Sequence, residues 1–114
     1  MKRLALLLLA ACATPPRPGM ERDDALAVIV EPTPKSRDEL ARTLFDALGV
    51  QVMLADDALT SESTLPIEHR LREARESGRP ELFYLVKNGS RCVLIHERTK
   101  KRYPLPDTEC VEAR

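Results

Sequence analysis

The chain has 114 residues, enough to bury one hydrophobic core but not two, so a single domain is expected. Apolar residues make up 43% of the chain and charged residues 32%, a balance that excludes disorder caused by composition alone. Lys plus Arg and Asp plus Glu number 18 each, and aromatic residues are few, so neither net charge nor a stacking surface favours a nucleic-acid partner.

The first eleven residues have the layout of a secretory signal peptide. Lys2 and Arg3 supply positive charge, residues 4–11 form an unbroken apolar run, and the run ends in small residues. These eight residues fall well short of the about twenty that a helix needs to cross a bilayer. We therefore predict that residues 1–11 are a signal peptide and no part of the fold.

The stretch Leu9-Ala10-Ala11-Cys12 resembles the lipobox of bacterial lipoproteins. The resemblance implies that the Cys12 thiol takes up a diacylglyceryl group, since a thiolate is a strong nucleophile. It also implies that the chain is cleaved just before Cys12 and that the new N-terminus is acylated, typically with palmitate. Two or more such chains anchor a protein stably. Ala11-Cys12-Ala13 also fits the site of ordinary signal peptidase, whose cleavage would remove Cys12.

The lipobox resemblance also implies a location. Ala13 is not the aspartate associated with retention in the inner membrane, so we expect an anchor in the outer membrane facing the periplasm, or in the outer face of the cell membrane if the source has no outer membrane. Residues 12–24 contain three Pro and one Gly and predict an extended tether after the lipidated Cys12. Residues 25–114 are then expected to form one periplasmic domain. Its expected contact with the membrane is made through the lipid on Cys12.

Within that domain, residues 25–30 are an apolar run that predicts a buried first strand, and two prolines follow it. Ser36 and Glu39 match a capping box and predict the start of a helix. That helix carries leucines on one face and ends at Gly49. Residues 50–54 predict a second strand, which would complete a β-α-β unit with parallel strands.

The second half of the domain predicts a helix and a hairpin. Residues 56–64 are polar and irregular, whereas Ile67, Leu71 and Ala74 recur at helical spacing before Gly78. Asn88-Gly89 separates two strand-like runs, residues 81–87 and 90–96, and favours a tight turn. Residues 102–105 predict a further edge strand. The expected fold class is α+β: a sheet of three to five strands packed with one or two helices.

Alternation along the middle strand of the hairpin predicts that Cys92, Leu94 and His96 share one face. If Cys12 carries lipid, Cys92 and Cys110 remain as an even pair in an oxidising compartment, which predicts a disulfide between them. Closing that loop should stabilise the domain by about 3 kcal/mol. Two separate buried thiols are the alternative.

Residues suited to catalysis are scarce, so we expect no enzyme, cofactor or metal. The two histidines, His69 and His96, fit no nucleophile or metal motif, and we expect a solvated side chain at the first and a hydrogen-bonded structural one at the second. The sequence favours an acidic surface loop over a cation site at Asp56, Asp57 and Glu62.

A cluster of basic residues is the most distinctive surface feature that the sequence predicts. It consists of Arg98, Lys100, Lys101 and Arg102. One interpretation is a solvated turn that keeps a sheet edge from aggregating. The other is a contact with an anionic partner, such as phospholipid headgroups or an acidic protein.

Residues 40–54 are similar to the helix-then-strand core of the small N-terminal domains of secretins. The matching positions are Leu40, Leu44, Leu48, Gly49, Val50 and Val52. This resemblance implies protein docking rather than catalysis. The expected function is therefore a lipid-anchored interaction or assembly module that binds another envelope protein and no nucleic acid; the alternative is a lipoprotein that binds a ligand or inhibits an enzyme.

Overall fold

A computed structural model describes residues 17–68 and 80–114. The elements in chain order are β1 (Asp24–Ile29), α1 (Pro34–Leu48), β2 (Thr64–Ile67), β3 (Glu81–Asn88), β4 (Arg91–His96), β5 (Arg102–Pro104) and β6 (Cys110–Glu112). The predicted α+β class is confirmed, with six strands instead of three to five and α1 as the one helix of the described residues.

β3 is the centre of an antiparallel sheet with the strand order β5-β4-β3-β1-β6. β4 runs along one edge of β3 from Phe83 to Asn88. The other edge is shared, because β2 pairs with its first half and β1 with its second half. β1 then continues past β3 and pairs through residues 27–29 with β6.

The predicted hairpin is confirmed. Its turn lies one residue later than predicted, because Asn88 still pairs with Arg91 and the turn residues are Gly89 and Ser90. Gly89 has a φ of 63°, which glycine adopts without steric cost. The predicted edge strand forms as β5, with Pro104 opposite Val93.

The helix begins earlier than the sequence predicted. Thr33 is the N-cap: its Oγ1 accepts from the Ser36 amide at 3.0 Å, and the Ser36 hydroxyl accepts from the Thr33 amide at 2.9 Å. The predicted pairing of Ser36 with Glu39 is therefore wrong, because Pro34 suits the first helical position and places the cap one residue before it. Gly49 ends α1 as predicted, with a φ of 76°.

Residues 50–54 do not form the predicted strand, and the parallel β-α-β pairing does not exist. Their alternation is nevertheless real, since Val52 and Leu54 pack against the core and Met53 is 98% exposed. The segment pairs with none of the six strands and contributes to the core through its side chains alone. The strand that follows α1 is β2, which includes Ile67, and the rest of the predicted second helix lies outside the described residues.

The sheet is buried on both faces. The leucines of α1, Leu40 and Leu44, pack on the face that carries Cys92 and Leu94, as the alternation in β4 predicted. The opposite face has its own apolar cluster, formed by Tyr84, Val86, Val93 and Ile95 and covered in part by Met20 and Leu26. Because Met20 belongs to the predicted tether, part of that tether lies on the domain.

Candidate functional site

The two cysteines of the domain meet on the helix-facing side of the sheet. The Sγ atoms of Cys92 and Cys110 are 2.13 Å apart, at disulfide distance, and both residues are buried. Cys92 lies in β4 and Cys110 begins β6, two strands that are not neighbours in the sheet. The pairing predicted from the cysteine count therefore ties the C-terminal edge strand to the middle of the domain.

Glu39 holds the chain just before Cys110. Its side chain is buried, and its carboxylate oxygens accept from the Asp107 amide at 3.0 and 3.1 Å. The hydroxyl of Thr108 donates to the same carboxylate at 2.8 Å. The carboxylate satisfies one buried donor, the Thr108 hydroxyl, and one partly buried donor, the Asp107 amide. The sequence did not reveal this structural role because Glu39 resembled a capping residue.

His96 is buried at the end of β4, where it lies opposite Phe83 in the register of the hairpin. The two rings stack, with centroids 4.4 Å apart. Nε2 of His96 lies 2.5 Å from Oε1 of Glu81, and Nδ1 lies 3.1 Å from Oγ1 of Thr99. The predicted hydrogen-bonded, structural environment of this histidine is present.

Glu81 is the acceptor at the centre of this cluster. It also accepts from Nε of Arg98, at 3.1 and 3.2 Å. Burial raises the pKa of the Glu81 carboxyl, but the hydrogen bonds from His96 and Arg98 outweigh this effect and hold the pKa below its usual range.

The order of hydroxyl, imidazole and carboxylate in Thr99, His96 and Glu81 is that of a nucleophile, a base and an orienting acid. An ionised Glu81 only accepts, so Nε2 of His96 donates to it, and Nδ1 lies within hydrogen-bond distance of the Thr99 hydroxyl. Thr99 and His96 belong to the same turn, and the turn is closed by the Lys100 amide donating to the His96 carbonyl at 2.7 Å. In this position the three side chains join the turn after β4 to the start of β3.

The four predicted basic residues do not form one surface. Arg98 is paired with Glu81, and Arg102 is directed across the sheet to Asp24. Lys101 lies 5.3 Å above the ring of Tyr103. Within the described chain, Lys100 and Lys101 form no ion pair, so these two lysines are what is left of the predicted anionic contact.

The ion pair of Arg102 and Asp24 is the most enclosed one on the second face of the sheet. Arg102 donates to both oxygens of Asp24, at 2.6 and 3.2 Å, and the Asp24 side chain is 0% exposed. Asn88 and the Glu21 amide also donate to this carboxylate, at 2.8 and 2.7 Å. Burial raises the pKa of Asp24, but Arg102 and these donors more than offset it, and the pKa lies below its usual range.

Arg102 also reaches the segment that precedes β1. It donates to the Gly19 carbonyl at 3.0 Å and lies 3.5 Å from the Glu21 carboxylate. Arg17 lies over the ring of Tyr84, 5.6 Å from its centroid. No sequence pattern joins residues so far apart along the chain, and the sequence analysis missed this network.

A groove of about 340 Å³ lies between the first half of α1 and the segment after it. Its apolar lining includes Ile29, Leu40, Val52, Leu54 and Ala58. Near it in the chain are three large apolar side chains that solvent reaches: Phe45 is 49% exposed, Val50 48% and Met53 98%.

Other predicted features take little part in these sites. Asp56 and Asp57 lie in an exposed turn, and residues 17–68 and 80–114 contain no group of three or more metal-binding side chains that could hold an ion. No helix in these two ranges is long and apolar enough to span a membrane. His69, Cys12 and the signal peptide lie outside the described residues.

Comparison of the chain with known protein families, with curated proteins and with solved structures gives no match. The similarity to lipoproteins at Cys12 and to secretin N-terminal domains in residues 40–54 therefore stays a prediction from sequence.

Proposed function

We propose that this protein is a lipid-anchored module of the bacterial envelope that docks a protein partner and performs no catalysis. The lipobox at Cys12 supports the anchor, and the disulfide-distance pair of Cys92 and Cys110 agrees with an oxidising compartment. The partner is an envelope protein, held near the module because the lipid confines the module to the membrane surface.

The observation that carries the docking role is the exposure of large apolar side chains after the middle of α1. Met53 is almost fully exposed, and Phe45 and Val50 are half exposed, while the domain has a closed core on both faces of its sheet. The three residues lie within nine positions of the chain, and apolar side chains that are exposed together are typical of sites that another protein covers. The buried charged groups, by contrast, are engaged in holding turns and termini, as Glu39 and Glu81 are.

The anchor is tested by acylation. Cells that produce the protein are grown with labelled palmitate, and the membrane fraction is compared for the natural chain and for Cys12→Ser. We expect label and membrane retention only with Cys12, since serine cannot form the thioether. Equal retention of the two proteins would contradict the proposed anchor.

The docking role is tested by cross-linking in the intact envelope. A photoreactive amino acid replaces Met53 in one variant and Arg42, an exposed polar position of α1, in the matched control. We expect an adduct of defined mass from position 53 and little from position 42. Adducts of the same yield at both positions would show that the apolar side chains do not define the contact.

The groove beside α1 supports a second candidate, the binding of a small apolar ligand. Grooves of this size and lining hold drug-sized molecules. Ala41→Trp would fill the groove, whereas Arg42→Trp adds the same ring on the exposed side of the helix. If the groove binds ligands, an apolar fluorescent anion such as anilinonaphthalene sulfonate should lose its binding only in Ala41→Trp.

A further inference from the structure

We propose that the turn carrying Lys100 and Lys101 faces the anionic phospholipid headgroups of the membrane that holds Cys12, so that the domain has one preferred orientation on the bilayer. This inference rests on the proposed lipid anchor. It assigns a partner to Lys100 and Lys101, the part of the basic cluster that forms no ion pair with the described residues.

The first argument is the length of chain between the anchor and the domain. Met20 packs on the second face of the sheet, and Gly19 accepts a hydrogen bond from Arg102. Six residues, 13–18, therefore separate Cys12 from a position held on the domain. Seven extended steps of the backbone reach about 25 Å at most, so the point where the chain leaves the domain stays close to the headgroups.

The second argument is where that point lies. Gly19 touches the basic turn so closely that a Cβ atom there would be 3.3 Å from Cα of Lys100 and 2.8 Å from Cγ2 of Ile95. Its φ of 87° is also a conformation that favours glycine. The chain that comes from the lipid anchor therefore enters the domain beside Lys100, and an anchored domain carries this turn on the side of its tether.

The third argument is charge. Within residues 17–24 and 97–102, the ion pairs of the described chain neutralise Arg98, Arg102, Glu21 and Asp24. The charged residues of these two segments without such a pair are four cations, Arg17, Arg22, Lys100 and Lys101, and two anions, Asp23 and Glu97. The balance is positive on the side where the tether enters.

The size of the effect follows from the two lysines. A cationic side chain at an anionic membrane surface is favoured about fivefold at physiological salt. Orientations that place both lysines at the headgroups should therefore be favoured about 25-fold over those that turn both away. Salt should weaken this preference, because the interaction is screened within about 10 Å.

The test couples the chain from Cys12 to Arg114 to a maleimide lipid in nanodiscs. With Cys92 and Cys110 joined, Cys12 is the one free thiol of the sequence. The discs contain phosphatidylcholine alone or with phosphatidylglycerol, and a lipid with a spin-labelled headgroup. Amide relaxation then reports which residues lie near the headgroups.

In discs with phosphatidylglycerol we expect the largest relaxation enhancement at residues 97–101. Lys100→Gln with Lys101→Gln should weaken the enhancement at residues 97–101 to what the tether alone maintains, and the control pair Arg37→Gln with Arg42→Gln on α1 should leave it unchanged. An even pattern in the natural chain, or the same pattern without phosphatidylglycerol, would overturn the inference. The chemical anchor makes this result independent of acylation in cells, which tests the proposed function separately.

Discussion

Replacing Arg102 by methionine removes the partner of a carboxylate that solvent does not reach. The Asp24 side chain is 0% exposed and would keep only Asn88 and the Glu21 amide as donors. Breaking a fully buried pair from one side costs about 3–5 kcal/mol. Because the Arg102 side chain is 23% exposed and two donors remain, we expect the free energy of unfolding to fall by about 2–3 kcal/mol.

The assay is urea denaturation of the oxidised domain, with Arg98→Met as the matched control. The Arg98 side chain is 66% exposed, so its ion pair with Glu81 should contribute at most about 1 kcal/mol. In an Asp24→Asn background the cost of Arg102→Met should shrink, since no buried charge is left without its partner. The reasoning is refuted if Arg102→Met costs no more than Arg98→Met, or if its cost is the same in both backgrounds.

Three other predictions concern the fold. Replacing Cys92 and Cys110 together by alanine should lower the free energy of unfolding by about 3 kcal/mol, measured by urea denaturation, because the unfolded chain regains the freedom of the closed loop; an unchanged midpoint would contradict this. The pKa of Glu81 is lower in the folded chain than in the unfolded chain, so its contribution to the free energy of unfolding is complete above the unfolded pKa and is lost as pH falls through the folded pKa. Glu81→Gln should therefore reduce the loss of stability at acid pH, measured in a pH series of thermal melts. Leu44→Ala should lower the free energy of unfolding by about 2–5 kcal/mol because Leu44 is fully buried. Phe45→Ala should lower it far less, because Phe45 is half exposed. Equal losses for the two variants would argue against the observed helix face.

The sequence predicted those parts of the fold that depend on neighbours in the chain. The Asn88-Gly89 signal predicted the hairpin, although the turn itself is Gly89-Ser90 and only Gly89 of the predicted pair has a positive φ. The alternation in β4 assigned Cys92 and Leu94 to one face. The leucine face of α1 and its end at Gly49 follow from local geometry in the same way. The pairing of two cysteines followed from counting, once Cys12 was assigned to the lipid.

Other features depend on which elements meet. Residues 50–54 have the alternation of a strand, but a strand also needs a backbone partner, and this segment pairs with none of the six strands. Glu39 suits a helix cap by its position, yet its carboxylate binds the loop before Cys110, at residues that are 68 and 69 positions away.

The same distinction holds for the candidate surfaces. The sequence alone predicts the targeting features at Cys12 and identified the basic residues near residue 100 as a group. Only the tertiary structure separated that group, because Arg102 pairs with a carboxylate 78 positions earlier while Lys100 and Lys101 remain at the surface beside Gly19. Periodicity and caps are local properties of the backbone, whereas the neutralisation of a charge depends on contacts that only folding creates.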